Sequence, residues 1–143
     1  MHHLIYLSRA TQPFSEAALR DLLQYARVYN HQHAITGVLA YGNGQFLQVL
    51  EGELASITAL YERIARDPRH NNLLRFADKP IAQRSFTDWS MAYATLSTPD
   101  FNTLAGYVLP AQLSAGAVAR SEADDLLLQT LRAFVFPALP VTQ

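Results

Sequence analysis

The sequence predicts an α+β fold of the ferredoxin-like, split βαβ kind: a five-stranded mixed sheet with two helices on one face and C-terminal helices capping the other. Three observations carry this. Period-two and helical hydrophobic patterns follow one another as strand, helix, strand, strand, helix, strand, strand. Gly42-Asn43-Gly44 reads as a tight hairpin turn between two of those strands. The first and third strands are apolar on both faces, so the sheet must be covered on both sides.

In chain order, His3 to Ser8 alternates as a first strand, with Leu4, Tyr6 and Ser8 on one face and His3, Ile5 and Leu7 on the other. Ser15 caps a helix with Glu16 in its first turn; the helix is expected to run to about Asn30. Its apolar stripe is Leu19, Leu22, Leu23 and Ala26, and Asn30 continues that stripe. Ile35 to Tyr41 and Gln45 to Glu51 form the hairpin. Leu54 to Ala65 is a second helix with Ile57, Leu60, Tyr61 and Ile64 inward, stopped by Asp67-Pro68-Arg69-His70. Leu73 to Asp78 is a fourth strand, after which Pro80 starts a connector. Phe86 to Thr95 is a fifth, with Trp89, Met91 and Tyr93 on one face. Beyond it, Phe101 to Leu109 and the leucine-rich stretch after Ser121 read as helices folded back on the sheet. The expected division is residues 1–96 as the sheet domain and 97–143 as the cap.

Composition narrows the function classes. Half of the 143 residues are hydrophobic, 16% are charged and the formal net charge is -1. Scattered basic residues argue against direct nucleic-acid binding. With no cysteine there is no disulfide frame and no thiol chemistry. No signal peptide or membrane span is legible, so the expected setting is soluble and cytoplasmic.

On the third strand, Gln48 stands between Phe46 and Leu50 on one face. A carboxamide there loses water and must find partners, either a bound polar ring system or backbone and water. If Tyr6 and Gln48 take the helix-facing side, they converge with Asn30 on a slot between the helices. Ile35, Leu39 and Leu50 would wall it, and Arg63 with His70 would hold a phosphate near its mouth. Each residue also has a plain reading. Tyr6 is a core aromatic, Trp89 and Met91 are packing, Arg63 is a solvated arginine, and Asn30 caps its own helix end. The five histidines make no convincing metal site, and no nucleophile–base pair is legible. A cofactor-dependent oxidoreductase and a non-catalytic ligand-binding or interaction module both remain open readings of such a slot.

The stretches LIYLSRAT (4–11), NHQHAITGVLAYGNGQFLQVLEG (30–52), LYERIARDPRH (60–70) and FTDWSMAY (86–93) resemble the BLUF domain family, blue-light sensors using flavin. The resemblance covers residues 1–93 in order and spacing. It implies a photoreceptor and not an enzyme, with an oxidised flavin between the two helices, FAD by default and FMN or riboflavin accepted. Tyr6 would be the electron donor, Gln48 the switching amide and Asn30 the ligand of the flavin carbonyl edge. Arg63, Asp67 and His70 match positions at the ribityl-phosphate portion, and Trp89 and Met91 match the pair that relays the signal. Residues 94–143 resemble the helical cap of short members, too small for a cyclase or phosphodiesterase. The implied partners are further copies of the chain and a separate downstream regulatory protein.

Overall fold

A computed structural model describes residues 1–86 and 90–106. The elements are β1 (His2–Ala10), α1 (Glu16–Gln32), β2 (Thr36–Gly42), β3 (Gln45–Gly52), α2 (Leu54–Ala65), β4 (His70–Pro80), β5 (Ala92–Thr95) and α3 (Thr98–Gly106). The five strands form one mixed sheet in the order β4-β1-β3-β2-β5. β1 runs antiparallel to β3 and β4, β2 antiparallel to β3, and β5 parallel to β2. β3 thus lies inside the β1-α1-β2 crossover and β1 inside the β3-α2-β4 crossover. That is the split arrangement, and it puts β1 and β3 side by side at the centre.

The local chemistry explains the boundaries. Ser15 caps α1, its hydroxyl accepting from Ala18 N at 3.1 Å. The helix runs two residues past the expected stop because Asn30 does not cap it with its side chain. The chain leaves through Ala34 at φ +55°, with Ile35 N–H bonded to Asn30 O at 2.8 Å and Ala34 N–H to His31 O at 3.4 Å, a Schellman closure. The hairpin turns on Asn43 and Gly44, both at positive φ, as a two-residue turn of this twist requires.

Two expected strands are redrawn. β4 begins three residues earlier and ends two later, so Pro80 closes the strand instead of opening a connector. As an edge strand, β4 tolerates a proline. β5 is only Ala92–Thr95, and Ser90 and Met91 form a bend before it.

Strict alternation divides the core. Leu4, Tyr6, Leu39, Phe46 and Leu50 pack under α1 and α2 with Leu19, Leu23, Ile35, Ile57 and Met91. Ile5, Val38, Leu47 and Val49 are fully buried without belonging to that cluster, so the opposite face of the sheet is covered too. Part of the cover is α3, whose fully buried Phe101 sits against Gly42. The rest of the expected cap, from residue 107 onward, lies outside the described residues, as does Trp89.

Candidate functional site

Backbone register builds the site before any side chain is considered. Tyr6 on β1 is the pairing partner of Gln48 on β3, and Gln48 is that of Leu39 on β2. The three form one row across the sheet centre, on the face that carries α1 and α2. One step toward the hairpin, Phe46 extends the same floor. Above it is a cleft that opens to solvent at its mouth. Leu22, Ala26, Tyr29 and Asn30 wall it from α1, and Leu60, Arg63 and Ile64 from α2.

A polar chain runs through this apolar floor. The Tyr6 hydroxyl donates to Gln48 Oε1. The other end of that amide, Nε2, donates to Met91 Sδ at 3.5 Å. All three residues are buried. Burial above all, then the neighbouring Tyr61 and Asp67, raises the Tyr6 phenol well above the ordinary tyrosine value, so its proton stays on. The ring of Tyr61 meets that of Tyr6 edge-on at 5.5 Å between centroids.

Asn30 reaches the cleft from α1. Its Nδ2 donates to Ser90 O at 2.8 Å. Its Oδ1 is buried and has no hydrogen-bond partner among the described residues. Buried amide oxygens are nearly always paired, so this atom fits a ligand that presents an N–H at the wall. A flavin pyrimidine edge alternates N–H and carbonyl groups and meets that requirement.

At the mouth, the Arg63 guanidinium lies over the rings of Tyr29, 4.6 Å from the centroid, and Tyr25, at 5.9 Å, and donates to Tyr25 OH. Asp67 takes both Arg69 Nε contacts at 3.0 Å, and these hydrogen bonds hold its carboxyl below the ordinary range.

Three expectations change. Ile35 and Leu50 belong to the packed layer and do not line the cleft. At about 3.3 Å per residue, Leu50 lies well past Gln48 along β3, in the same buried cluster as Ile57. Leu39 lines the cleft, together with Phe46 and Phe14. His70 lines the cleft but is not set to grip a phosphate. Its Nε2 is committed to Ile64 O at 2.6 Å and its Nδ1 to Ser8 Oγ at 2.7 Å. Met91 touches Gln48 from a bend, not from a strand face.

Tyr25, Tyr29 and Arg69 line the cleft without having been expected there. Tyr29 follows Ala26 by three positions and was findable from the stripe. Arg69 had no local signal. Among the described residues, no group of three or more histidine, aspartate or glutamate side chains is placed to hold a metal. No described helix is long and apolar enough to cross a membrane.

Known proteins share this arrangement. A family model described as BLUF, sensors of blue-light using FAD, matches residues 1–92. Over 93 residues, 64% of this chain, the sequence is 39% identical to the photoactivated adenylate cyclase subunit beta of Euglena longa, where the match takes in 11% of that protein. The chain thus spans about a tenth of the length of this curated relative. It is 28% identical over 133 residues to the blue light- and temperature-regulated antirepressor BluF of Escherichia coli K12, covering 92% of this chain and 32% of that one. The dark-state structure of BlrB, a BLUF protein, superposes with a TM-score of 0.68 at 30% identity, covering 92% of this chain and 95% of that chain.

Proposed function

The chain belongs to the BLUF family, and from that membership we propose that it is a blue-light photoreceptor that binds a flavin between α1 and α2 and reports excitation through Gln48. The observation that carries this reading is the Tyr6–Gln48–Met91 chain beneath the cleft, with the unpartnered Asn30 Oδ1 on the cleft wall. FAD is the flavin we assign, with FMN and riboflavin as permitted occupants.

A bound flavin supplies the absorption of blue light and, once excited, a one-electron oxidant. The protein's residues do the rest. Tyr6 gives up an electron and, as its radical cation is a strong acid, its phenolic proton. Gln48 relays that proton because one amide carries both a donor and an acceptor. Electron and proton then return to Tyr6, so no net reaction occurs. Gln48 is left turned, tautomerised or both, and its amide would then offer a stronger hydrogen bond to the C4 carbonyl of a bound flavin. In a site this apolar the change is amplified and the absorption moves modestly to the red. Asn30 would hold the polar edge of the flavin, and Arg63 and Asp67 would serve its ribityl-phosphate portion.

Residues 1–96 form the photosensory unit in this reading and 97–143 its cap. When Gln48 lets go of Met91, the hold on that side chain is loosened just ahead of β5, and Trp89 and Met91 are the residues we assign to relaying the change. The output passes to another chain, either a copy of this one or a separate regulator in the cytoplasm. The deciding experiment is a light-minus-dark absorption spectrum of the purified protein loaded with FAD. A red-shifted difference that decays in the dark is expected. A preparation that takes up none of the three flavins, or one whose bound flavin gives no difference spectrum, overturns the proposal.

A further inference from the structure

Met91 reaches Gln48 although it lies in a bend and not in a strand. No ladder of backbone hydrogen bonds fixes where its sulfur goes. Two side chains of α1 do. Asn30 donates to the carbonyl of Ser90 at 2.8 Å, and Arg27, one residue short of a turn earlier on the same helix, donates from Nε to the carbonyl of Met91 at 2.9 Å. Consecutive carbonyls are thus clamped by residues i and i+3 of one helix face.

We propose that Arg27 is a positioning residue of the photosensory switch: by holding the Met91 carbonyl it sets the Met91 sulfur where the Gln48 amide can donate to it. The proposal builds on the photosensory reading above and adds a residue to it. Arg27 is otherwise exposed on α1 and touches neither Tyr6 nor Gln48 directly. The path is Arg27 Nε to Met91 O, then Met91 Sδ to Gln48 Nε2, and from Gln48 Oε1 to the Tyr6 hydroxyl. An amide whose donor end has lost its acceptor is freer to turn. Arg27 therefore acts on the ease with which Gln48 changes orientation, while flavin affinity is left to Asn30 and the cleft walls.

The chemistry of the contact selects the variants. In Arg27→Leu the apolar stem stays and the donor goes. In Arg27→Gln the charge goes, but an N–H donor remains at the same distance along the side chain as Nε. The chain has only two methionines, Met1 and Met91, so methyl-13C methionine labelling yields one resonance from the core and one from the exposed amino end.

In the dark, FAD-loaded full chain, Arg27→Leu is expected to move the Met91 methyl resonance from its wild-type position, and Arg27→Gln to leave it in place. After a light pulse, the rate of dark return should differ from wild type by about fivefold in Arg27→Leu, the weight of one ordinary hydrogen bond, and match wild type in Arg27→Gln. An unmoved Met91 resonance with unchanged dark return in Arg27→Leu overturns the proposal. So does Arg27→Gln behaving like Arg27→Leu, because charge or helix stability would then be the cause. A wild-type protein without any light response sinks the photosensory reading instead. In that event the dark methyl resonance still decides whether Arg27 places Met91.

Discussion

Tyr6 and Gln48 are backbone pairing partners across β1 and β3, and the Tyr6 hydroxyl donates to the amide oxygen of Gln48. Register alone brings a phenol and a carboxamide together, so the contact does not depend on the placement of any loop. The amide is thereby oriented, oxygen toward Tyr6 and nitrogen toward Met91. Replacing Gln48 by Leu keeps the volume of the floor and removes both ends of that relay. Flavin uptake is expected to persist, because the walls and Asn30 remain, while the light-induced red shift disappears. A full shift in Gln48→Leu by difference spectroscopy would remove the amide from the mechanism.

The Tyr6 phenol also leaves a mark on stability. Burial raises its folded-state pKa above the ordinary value of about 10. Below that pH, folded and unfolded chains both hold the proton and the contribution is complete. Above it the unfolded chain releases the proton while the folded chain keeps it, so stability is lost as pH rises, with a slope approaching about 1.4 kcal/mol per pH unit. Tyr6→Phe abolishes this loss. Tyr61 and Tyr93 are raised by burial as well, but they are present in both proteins and cancel in the comparison. Urea midpoints without flavin, taken from about pH 9 to about pH 11, should show the variant gaining on wild type by about 1 kcal/mol or more. Parallel curves would mean that the phenol ionises inside the fold.

The central row of the sheet was legible in the sequence because a period of two is unforgiving. Once Phe46 faces the helices, Gln48 must, and β1 follows the same rule at Tyr6. The bounds of α2 were legible because its apolar stripe is clean and Pro68 follows closely. The full length of β4 is hidden from periodicity because its pairing with β1 shifts register between Ile5 and Tyr6 and again between Leu7 and Arg9; a bulged edge strand does not alternate. Periodicity overextends β5 because Ser90 and Met91 continue an alternating pattern that tertiary contacts override. Side chains of α1, distant in sequence, take their carbonyls. The same limit hid the roles of the mouth residues. Nothing near Arg63 in sequence says that two tyrosines of another helix will lie beneath its guanidinium.

Asn30 offers a test of the cofactor that does not require light. Its Oδ1 is a buried acceptor without a partner among the described residues, and an incoming N–H would satisfy it. Substituting Leu removes that acceptor and the Ser90 clamp together. The affinity for FAD, measured by fluorescence titration, is expected to fall by about tenfold or more, the weight of one or two hydrogen bonds in a desolvated site. Unchanged affinity in Asn30→Leu would place the flavin edge elsewhere.

Glu51 lies three residues beyond Gln48 on β3 and points to the opposite face, fully buried. Its carboxylate accepts from the backbone N–H of Ser85 at 2.7 Å and of Phe86 at 2.9 Å, and from Thr36 Oγ1 at 3.3 Å. Arg84 ties the same corner from the other side, donating to Glu51 O at 2.9 Å, Thr36 Oγ1 at 2.7 Å and Ala34 O at 2.7 Å. The end of the hairpin and the start of the segment that leads to Met91 are therefore one hydrogen-bonded unit. In Glu51→Ala the buried Phe86 N–H and the part-buried Ser85 N–H lose this acceptor and a void opens beside them. Two such losses amount to about 3 kcal/mol or more, read as a lower urea midpoint at unchanged slope. Glu51→Gln keeps the shape and one oxygen but turns an NH2 group toward a backbone N–H, so it should recover only part of the loss. If Glu51→Ala unfolds at the wild-type midpoint, these contacts do not hold the segment, and its anchorage rests on Arg84 and the α1 clamp alone.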